Sequence, residues 1–174
     1  MSEAKGEKPL VGIVMGSDSD LPVMADTAKT LKQFSIPFEI EITSAHRSPA
    51  RTQEYARTAR QRGLKAIIVG AGGASHLAGV IAAESTLPVI GVPIANSPLS
   101  GMDSLLSTVQ MPSGVPVATM AVGKAGAVNA AIYAAQIIGT SDAQVAAALA
   151  KYKQDLARSV AEKSEKVKRE FKVE

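Results

Sequence analysis

The sequence contains no cysteine and no tryptophan, and it has only three phenylalanines and three tyrosines among 174 residues. The lack of cysteine excludes disulfide bonds, thiolate catalysis and every metal site that uses cysteine ligands. It is also typical of a cytoplasmic protein. Because aromatic side chains are scarce, the core has to be built mainly from alanine, valine, isoleucine and leucine.

Charge of one sign and long apolar runs are also lacking. The formal net charge is +3, and the basic residues are scattered among acidic ones without the aromatic residues on which single-stranded nucleic acids stack. We therefore expect no nucleic-acid partner. No apolar stretch reaches membrane-spanning length, and residues 1–9 lack the apolar segment of a signal peptide. A soluble, cytoplasmic protein with no membrane partner is expected.

Short apolar runs alternate with helical patterns along the chain. Hydrophobic residues make up 46% of the sequence and charged residues 20%, a balance typical of globular proteins. The patterns predict strands at 10–15, 37–43, 65–69, 88–93 and 116–122, and helices at 21–34, 49–62, 77–85, 102–106 and 124–138. This alternation predicts a three-layer α/β/α sandwich with a mainly parallel five-stranded sheet, flavodoxin-like in strand order.

The chain length favours a single domain over 1–174, with an N-terminal tail at 1–9 and the sandwich at 10–139. A long helix is predicted at 142–174, capped by Ser141 or Asp142. Its apolar stripe consists of Val145, Leu149, Tyr152, Leu156 and Val160. This helix can pack on its own sheet or on a neighbouring subunit; its length favours the neighbour. Its charged end could equally be a solvated tail.

Polar loops follow the first three predicted strands. They read Gly-Ser-Asp-Ser-Asp at 16–20, Ser-Ala-His-Arg-Ser-Pro at 44–49 and Gly-Ala-Gly-Gly-Ala-Ser-His at 70–76. Taken singly, the first could be a capping turn, the second a histidine packed beneath a loop and the third a tight glycine turn. However, both histidines of the protein fall at the carboxyl edge of the predicted sheet, where ligands of such folds bind. Together the loops predict a site for a polar small molecule.

The residue types in these loops indicate roles. Arg47 offers a planar, charged donor set suited to phosphate, and Ser17 and Ser19 can add hydrogen bonds. Asp20 only accepts hydrogen bonds, which suits sugar hydroxyls. His46 can donate and accept a proton near neutral pH. No metal site is predicted, because two histidines on separate loops without clustered carboxylates are poor ligands.

Other protein classes fit less well. A response-regulator receiver has this fold and an acidic pair that Asp18 and Asp20 resemble, but its third strand should end in a phosphoacceptor aspartate, where this chain has Val69 and Gly70. A flavodoxin should carry aromatic residues in these loops to enclose the flavin. A purely structural oligomer leaves the clustered polar loops unexplained.

Four segments in unbroken order resemble the PurE family, the N5-carboxyaminoimidazole ribonucleotide mutases of purine biosynthesis. They are the loops at 16–20 and 44–49, the segment 70–77 that extends the third loop through Leu77, and Gly-Met-Asp-Ser-Leu-Leu-Ser-Thr-Val-Gln-Met-Pro at 101–112. The resemblance covers roughly residues 11–138, and its expected fold agrees with the one predicted above. It implies an isomerase that moves a carboxylate from the exocyclic nitrogen of the aminoimidazole to ring carbon C4.

The resemblance also implies residue roles. His46 would be the general acid/base of a decarboxylation to aminoimidazole ribonucleotide and CO2, followed by recarboxylation at carbon. Asp20 would bind the ribose hydroxyls. The implied phosphate-binding residues are Ser17, Ser19 and Arg47, with Gly16 and Ala45 also contacting substrate. The implied wall of the CO2 end is Ser44, Gly72, Gly73, Ser75, His76 and Leu77.

The resemblance implies no cofactor and no metal, a closed, water-poor pocket that retains CO2, and a homo-octamer whose C-terminal helices reach adjacent subunits. A second branch of the family carboxylates aminoimidazole ribonucleotide directly; it typically has lysine after the histidine and lacks the loop that contains His76. Arg47 and His76 therefore favour the mutase. Leu21 stands where bacterial members commonly carry an aromatic residue, which bears on local packing.

Overall fold

Five parallel strands form one sheet in the computed structural model, which describes residues 8–171. The strands are β1 Val11–Met15, β2 Phe38–Ile42, β3 Ala66–Gly72, β4 Val89–Ile94 and β5 Ala118–Thr119. Their order in the sheet is β2-β1-β3-β4-β5, and every neighbouring pair is parallel. The chain places β2 on one side of β1 and then returns to place β3, β4 and β5 on the other side. This is the strand order of flavodoxin-like folds, so the predicted fold is confirmed.

Six helices accompany the sheet within the described residues. They are α1 Leu21–Gln33, α2 Pro49–Arg62, α3 Leu77–Glu84, α4 Met102–Val109, α5 Lys124–Gly139 and α6 Ala143–Phe171. Alternate side chains of β1 enter two separate cores. Ile13 packs with α1 and α5 on one face, and Val14 packs with α2 and α3 on the other. A strand buried on both faces has to be apolar throughout, which explains the continuous run in β1.

Two strands differ from their predicted bounds by more than one residue at an end. The third strand was expected to end at Val69, but β3 continues to Gly72 because residues 70–72 pair with Val92, Pro93 and Ile94 of β4. Pairing with the buried strand β4 outweighs the weak strand preference of glycine. The fifth strand was expected over 116–122, but β5 is only Ala118–Thr119. It lies at the edge of the sheet, where β4 alone supplies partners.

The ends of α2 and the start of α6 carry residues that favour helix boundaries. Pro49 is the first residue of α2, and Gly63 ends the helix in a left-handed conformation with a φ of 102°. Ser48 occupies the capping position, although its hydroxyl binds Ser44 rather than a helix N–H. Of the two candidate caps for α6, Asp142 accepts hydrogen bonds from the amides of residues 144 and 145 at 2.9 and 3.0 Å.

Helix α6 packs on the sandwich only along its first half. Val145 is buried, and the Tyr152 ring meets Phe34 edge to face with centroids 5.5 Å apart. Farther along the predicted stripe, Leu156 is 45% exposed and Val160 68%. Most of the predicted tail at 1–9 and the last three residues of the predicted 142–174 helix lie outside the described residues. Between residues 8 and 171, no helix has both the length and the apolar character needed to cross a membrane.

The packing of α5 against the segment that follows β5 generates a stability prediction. A methyl group on Gly126 would overlap the backbone carbonyl of Ala121, which cannot rotate away. We expect Gly126→Ala to destabilise the protein by about 2 kcal/mol or more, seen as a lowered midpoint of thermal unfolding. Gly79→Ala in α3 is the matched control, because there the methyl meets only the flexible tip of Met111. Equal unfolding midpoints for G126A and wild type would contradict this packing.

Candidate active site at the carboxyl edge of the sheet

A cavity of about 300 Å³ opens at the carboxyl edge of the sheet, where the chain leaves β1, β2, β3 and β4. The cavity contains every predicted site residue except Ser19 and Gly73, and adds two that were not predicted, Ala71 and Asn96. Its lining residues are Gly16, Ser17, Asp20, Ser44, Ala45, His46, Arg47, Ala71, Gly72, Ser75, His76, Leu77 and Asn96. Parallel strands bring these loops together because all of them end at the same edge.

The loop after β1 forms one turn of 3-10 helix at Asp18–Asp20. The Ser17 hydroxyl accepts the Ser19 amide N–H at 3.3 Å, and Asp20 Oδ2 accepts the Ser17 amide N–H at 3.2 Å, which is a reciprocal capping box. The capping turn considered for this loop is therefore present. It also holds the buried Asp20 carboxylate at the cavity wall.

Burial is the largest influence on Asp20 and raises the pKa of its carboxyl group above the ordinary value. Hydrogen bonds from the amides of Ser17 and Gly16 and from the Asn96 side chain act in the opposite direction, and the charge of Asp18 adds slightly to the increase. These three donors hold the buried carboxylate in one orientation. It can therefore receive hydroxyl donors from a ligand without reorganising.

The serines of this loop differ in position. Ser17 lines the cavity, and its hydroxyl donates to Asp18 Oδ1 at 3.0 Å, so an anion has to displace that contact in order to use the hydroxyl. Ser19 is exposed and lies outside the cavity lining. Its place in the middle of the turn directs its amide, rather than its hydroxyl, toward Ser17.

The loop after β2 is held by its own serines. The Ser44 hydroxyl accepts the Arg47 amide N–H at 3.1 Å, while the Ser48 hydroxyl accepts the Ser44 amide N–H at 3.0 Å. These bonds form a compact turn with His46 and Arg47 at its exposed tip. The Arg47 guanidinium crosses the cavity mouth and donates to the Gly16 carbonyl at 3.2 Å. The arginine therefore lies beside the β1 loop.

Two buried threonines support this turn from below and were not singled out from the sequence. The hydroxyls of Thr43 and Thr52 are 2.8 Å apart, and Thr43 also contacts the Ser48 hydroxyl at 3.2 Å. Buried hydroxyls need such partners because unpaired ones destabilise a fold. The sequence signal for them is weak, since threonine is common both at strand ends and in helices.

The two histidines are in direct contact. His46 Nε2 lies 2.7 Å from His76 Nδ1, with the rings edge to face. A neutral imidazole has one N–H and one lone pair, so one ring has to donate and the other has to accept. The tautomers of the two rings are therefore linked. The sequence placed both histidines at one edge but could not show that they touch.

The end of β3 forms the inner wall. Ser75 is buried, has a φ of 49°, and its hydroxyl contacts the Ala71 carbonyl and the Thr108 hydroxyl at 3.2 and 3.0 Å. Leu77 is buried and apolar. Gly73 lies outside the lining, with a φ of 58° and open space where a side chain would be. Its position is explained by the turn conformation rather than by cavity contact.

The cavity of the single chain is open to solvent on one side, since His46, Arg47 and His76 are all exposed. The closed pocket implied by the resemblance is therefore not formed by one chain alone. Among residues 8–171, no cluster of three or more His, Asp or Glu side chains is arranged to hold a metal ion.

The family model described as AIR carboxylase matches residues 10–159 of the chain. The chain belongs to the AIR carboxylase family. It is 55% identical over 163 residues to the N5-carboxyaminoimidazole ribonucleotide mutase of Pyrococcus horikoshii, covering 94% of this chain and 91% of that protein. It is 52% identical over 160 residues to the mutase of the same name from Bacillus subtilis, covering 92% and 99%. The crystal structure of Treponema denticola PurE superimposes with a TM-score of 0.83 at 30% identity, covering 92% of this chain and 99% of that one.

The burial of Asp20 predicts a specific pH dependence of stability. The pKa of Asp20 is higher in the folded protein than in the unfolded chain, so the protonated carboxyl group favours the folded state. This stabilisation is fully present below the ordinary pKa of 3.8 and is lost as pH rises through the raised pKa. Asn at position 20 does not titrate, so Asp20→Asn removes this decrease of stability with rising pH. We expect the unfolding midpoint of D20N minus that of wild type to be larger at neutral pH than near the ordinary pKa of aspartate.

The matched control has the opposite sign. The pKa of Asp155 is lowered, mainly by its contact with Lys151 at 2.7 Å, so its stabilising effect is present at neutral pH and lost in acid. Asp155→Asn should therefore destabilise more at neutral pH than in acid. A D20N difference that follows the D155N direction would contradict the inferred state of Asp20.

Proposed function

We propose that this protein is an N5-carboxyaminoimidazole ribonucleotide mutase of purine biosynthesis. The reaction moves the carboxylate from N5 to C4 and yields 4-carboxy-5-aminoimidazole ribonucleotide, so the enzyme is an isomerase. The sequence identity to the mutases of two organisms supports this function. The structural observation that carries it is the meeting of His46, Arg47 and Asp20, from two different loops, around one cavity.

The substrate phosphate is proposed to bind at the β1 side of the cavity. Arg47 lies across the mouth beside Gly16, and Ser17 lines the same wall, so a permanent positive charge and a hydroxyl face the same space. Ser19 is proposed to contribute to phosphate binding through its place in the turn at Asp18–Asp20, although its hydroxyl is outside the cavity lining. Asp20, fixed as an acceptor, is proposed to receive the ribose hydroxyls.

His46 is proposed to move the proton that the isomerisation requires. It donates a proton to N5 as the bond between N5 and the carboxyl carbon breaks and the bonding pair returns to nitrogen, which releases CO2 and aminoimidazole ribonucleotide. The electron-rich C4 then attacks CO2, and His46 takes the C4 proton as the ring regains aromaticity. One proton is given and one is taken, so the enzyme returns to its starting state and no co-reactant is needed.

The remaining lining residues are proposed to hold the carboxylate and CO2. Ser44, Ala45, Gly72, Gly73, Ser75, His76 and Leu77 form or adjoin the wall at the ends of β2 and β3. The buried Leu77 gives this end an apolar surface, which suits CO2 better than a charged one. His76 contacts His46 Nε2, so substrate has to replace that contact or use it to pass a proton. We propose no metal or cofactor, because the isomerisation balances without one.

Direct carboxylation of aminoimidazole ribonucleotide by CO2 is the second candidate function. The description of the matching family as AIR carboxylase supports this candidate. Arg47 and His76 argue for the mutase, as the resemblance implies. A third possibility is a binding module for phosphorylated ligands without catalytic activity.

An ultraviolet assay of freshly prepared N5-carboxyaminoimidazole ribonucleotide, in ATP-free buffer poor in bicarbonate, separates these functions. We expect rapid formation of the C4-carboxylated product with wild-type protein. We expect His46→Asn to reduce kcat at least about 100-fold, the usual contribution of general acid/base catalysis, with folding and ligand binding retained.

Each alternative has its own result in that assay. Product formed only from aminoimidazole ribonucleotide at high CO2 would identify the direct carboxylase. Absence of product from either compound would leave a binding module. Near wild-type turnover by H46N would remove His46 from the mechanism while leaving the mutase assignment intact.

A homo-oligomer, of eight copies as the family resemblance implies, is also proposed. Two apolar surfaces of the chain support it, since neither is covered by the described residues. One lies on α4 and the loop before it and comprises Leu99, Met102, Leu106 and Val109. The other lies on α6 and comprises Leu156, Val160, Val167 and Phe171. All eight side chains are 45% or more exposed. Patches of this kind mark protein contacts, and a neighbour could also close the open side of the cavity.

A cytoplasmic location stays a prediction from the sequence.

The oligomer is tested with Val160→Glu, which places a charge in the exposed apolar face of α6 without touching the sandwich. We expect light scattering after gel filtration to give eight times the chain mass of 18.0 kDa for wild type and smaller species for V160E. Gln154→Glu, on the opposite face of α6, is the matched control and should keep the wild-type mass. A monomeric wild type would exclude the assembly, and an intact V160E octamer would exclude a role for this face.

A further inference from the structure

Asn96 stands in the loop after β4 and lines the cavity between two residues of other loops. Its Nδ2 donates to Asp20 Oδ1 at 3.4 Å. Asp20 Oδ2 is already held by the Ser17 amide. The two carboxylate oxygens are thus held from opposite sides, one by the β1 loop and one by the β4 loop.

The other side of the Asn96 amide lies against Gly72. A methyl group built on Gly72 would overlap all three heavy atoms of the Asn96 carboxamide group, Cγ, Oδ1 and Nδ2. Gly72 is the last residue of β3 and has no left-handed backbone, so its conformation does not require glycine. Gly73 is the contrasting case, with a φ of 58° and no neighbour where a side chain would stand. The two adjacent glycines therefore serve different purposes.

We propose that Asn96 is a positioning residue that orients the Asp20 carboxylate toward the cavity, and that position 72 is glycine in order to make room for Asn96. The family resemblance implied only that Gly72 forms part of the wall at the CO2 end. The proposal rests on the proposed function in one respect, namely that Asp20 binds the ribose of the substrate.

An amide suits this task because it donates to the carboxylate without bringing a charge of its own. The charged and titratable groups near Asp20 are Asp18, which lies beside it, and Arg47, His46 and His76, which line the same cavity. Another carboxylate at position 96 would repel Asp20, and an apolar residue would leave Oδ1 without this donor. Of these side chains, only the amide both fits against Gly72 and donates a hydrogen bond to Asp20.

The test is a double-mutant cycle with Asn96→Ala and Gly72→Ala. We expect each single variant to raise KM for N5-carboxyaminoimidazole ribonucleotide about tenfold, the order of one hydrogen bond to a charged group, with kcat within about threefold of wild type. In G72A the methyl group displaces the Asn96 amide, so the same contact is lost. The double variant should therefore have the KM of either single variant, rather than the product of the two effects.

Asn96→Asp is the control for shape. It preserves the size of the side chain but replaces the donor by a carboxylate, so we expect a larger KM increase than in N96A, and one that grows as pH rises. A role in packing alone predicts N96D close to wild type, which would overturn the proposal. An unchanged KM in N96A would overturn it too. A G72A effect that persists in full in the N96A background would assign Gly72 to ligand contact instead.

A measurement without substrate separates failure of this proposal from failure of the proposed function. Loss of the Asn96 donor should make the unfolding midpoint fall more steeply with rising pH in N96A than in wild type, because the Asp20 carboxylate then ionises with less support. The difference should vanish when both proteins carry D20N. If wild type proves inactive on the nucleotide, this stability cycle still decides whether Asn96 acts on Asp20; equal pH slopes would overturn the proposal.

Discussion

Parallel pairing of β1 between β2 and β3 is the constraint on which the site depends. Because the three strands run in one direction, their following loops leave the sheet at the same edge, and residues far apart in sequence meet there. His46 and His76 are thirty positions apart, yet their rings are within hydrogen-bond distance. No local motif could achieve this contact. The cavity exists because the parallel pairing of the strands fixes where the polar loops begin.

The free site already contains a network of internal partners. The Ser17 hydroxyl donates to Asp18, Arg47 donates to the Gly16 carbonyl, and His46 contacts His76. A ligand therefore exchanges existing hydrogen bonds for new ones, and only the difference contributes to affinity. Asp20 differs from these groups because its partners hold it in place without occupying all of its acceptor capacity. Preorganised groups of this kind bind without a further loss of freedom.

The fold and most of the cavity wall could be predicted because they depend on periodicity and on strand ends. The run before Gly16 and the alternation before Thr43 locate β1 and β2, and Pro49 and Gly63 delimit α2. The extension of β3 through Gly72 could not be predicted, since it depends on partners supplied by β4. Asn96 was missed for the same reason. It carries no motif, and its relevance arises only because β4 lies beside β3 and directs its loop over Gly72.

The projection of α6 beyond the sandwich has a consequence for folding. From Leu156 to Phe171 the helix has little contact with its own sheet, and isolated helices of this length are marginal in water. Intrahelical pairs such as Lys168 with Glu165 add only a few tenths of a kcal/mol each. If copies of the chain cover this segment, its helicity becomes a function of protein concentration. The last turns of α6 would then be stabilised by assembly and fray on dilution, while the sheet and its cavity stay folded.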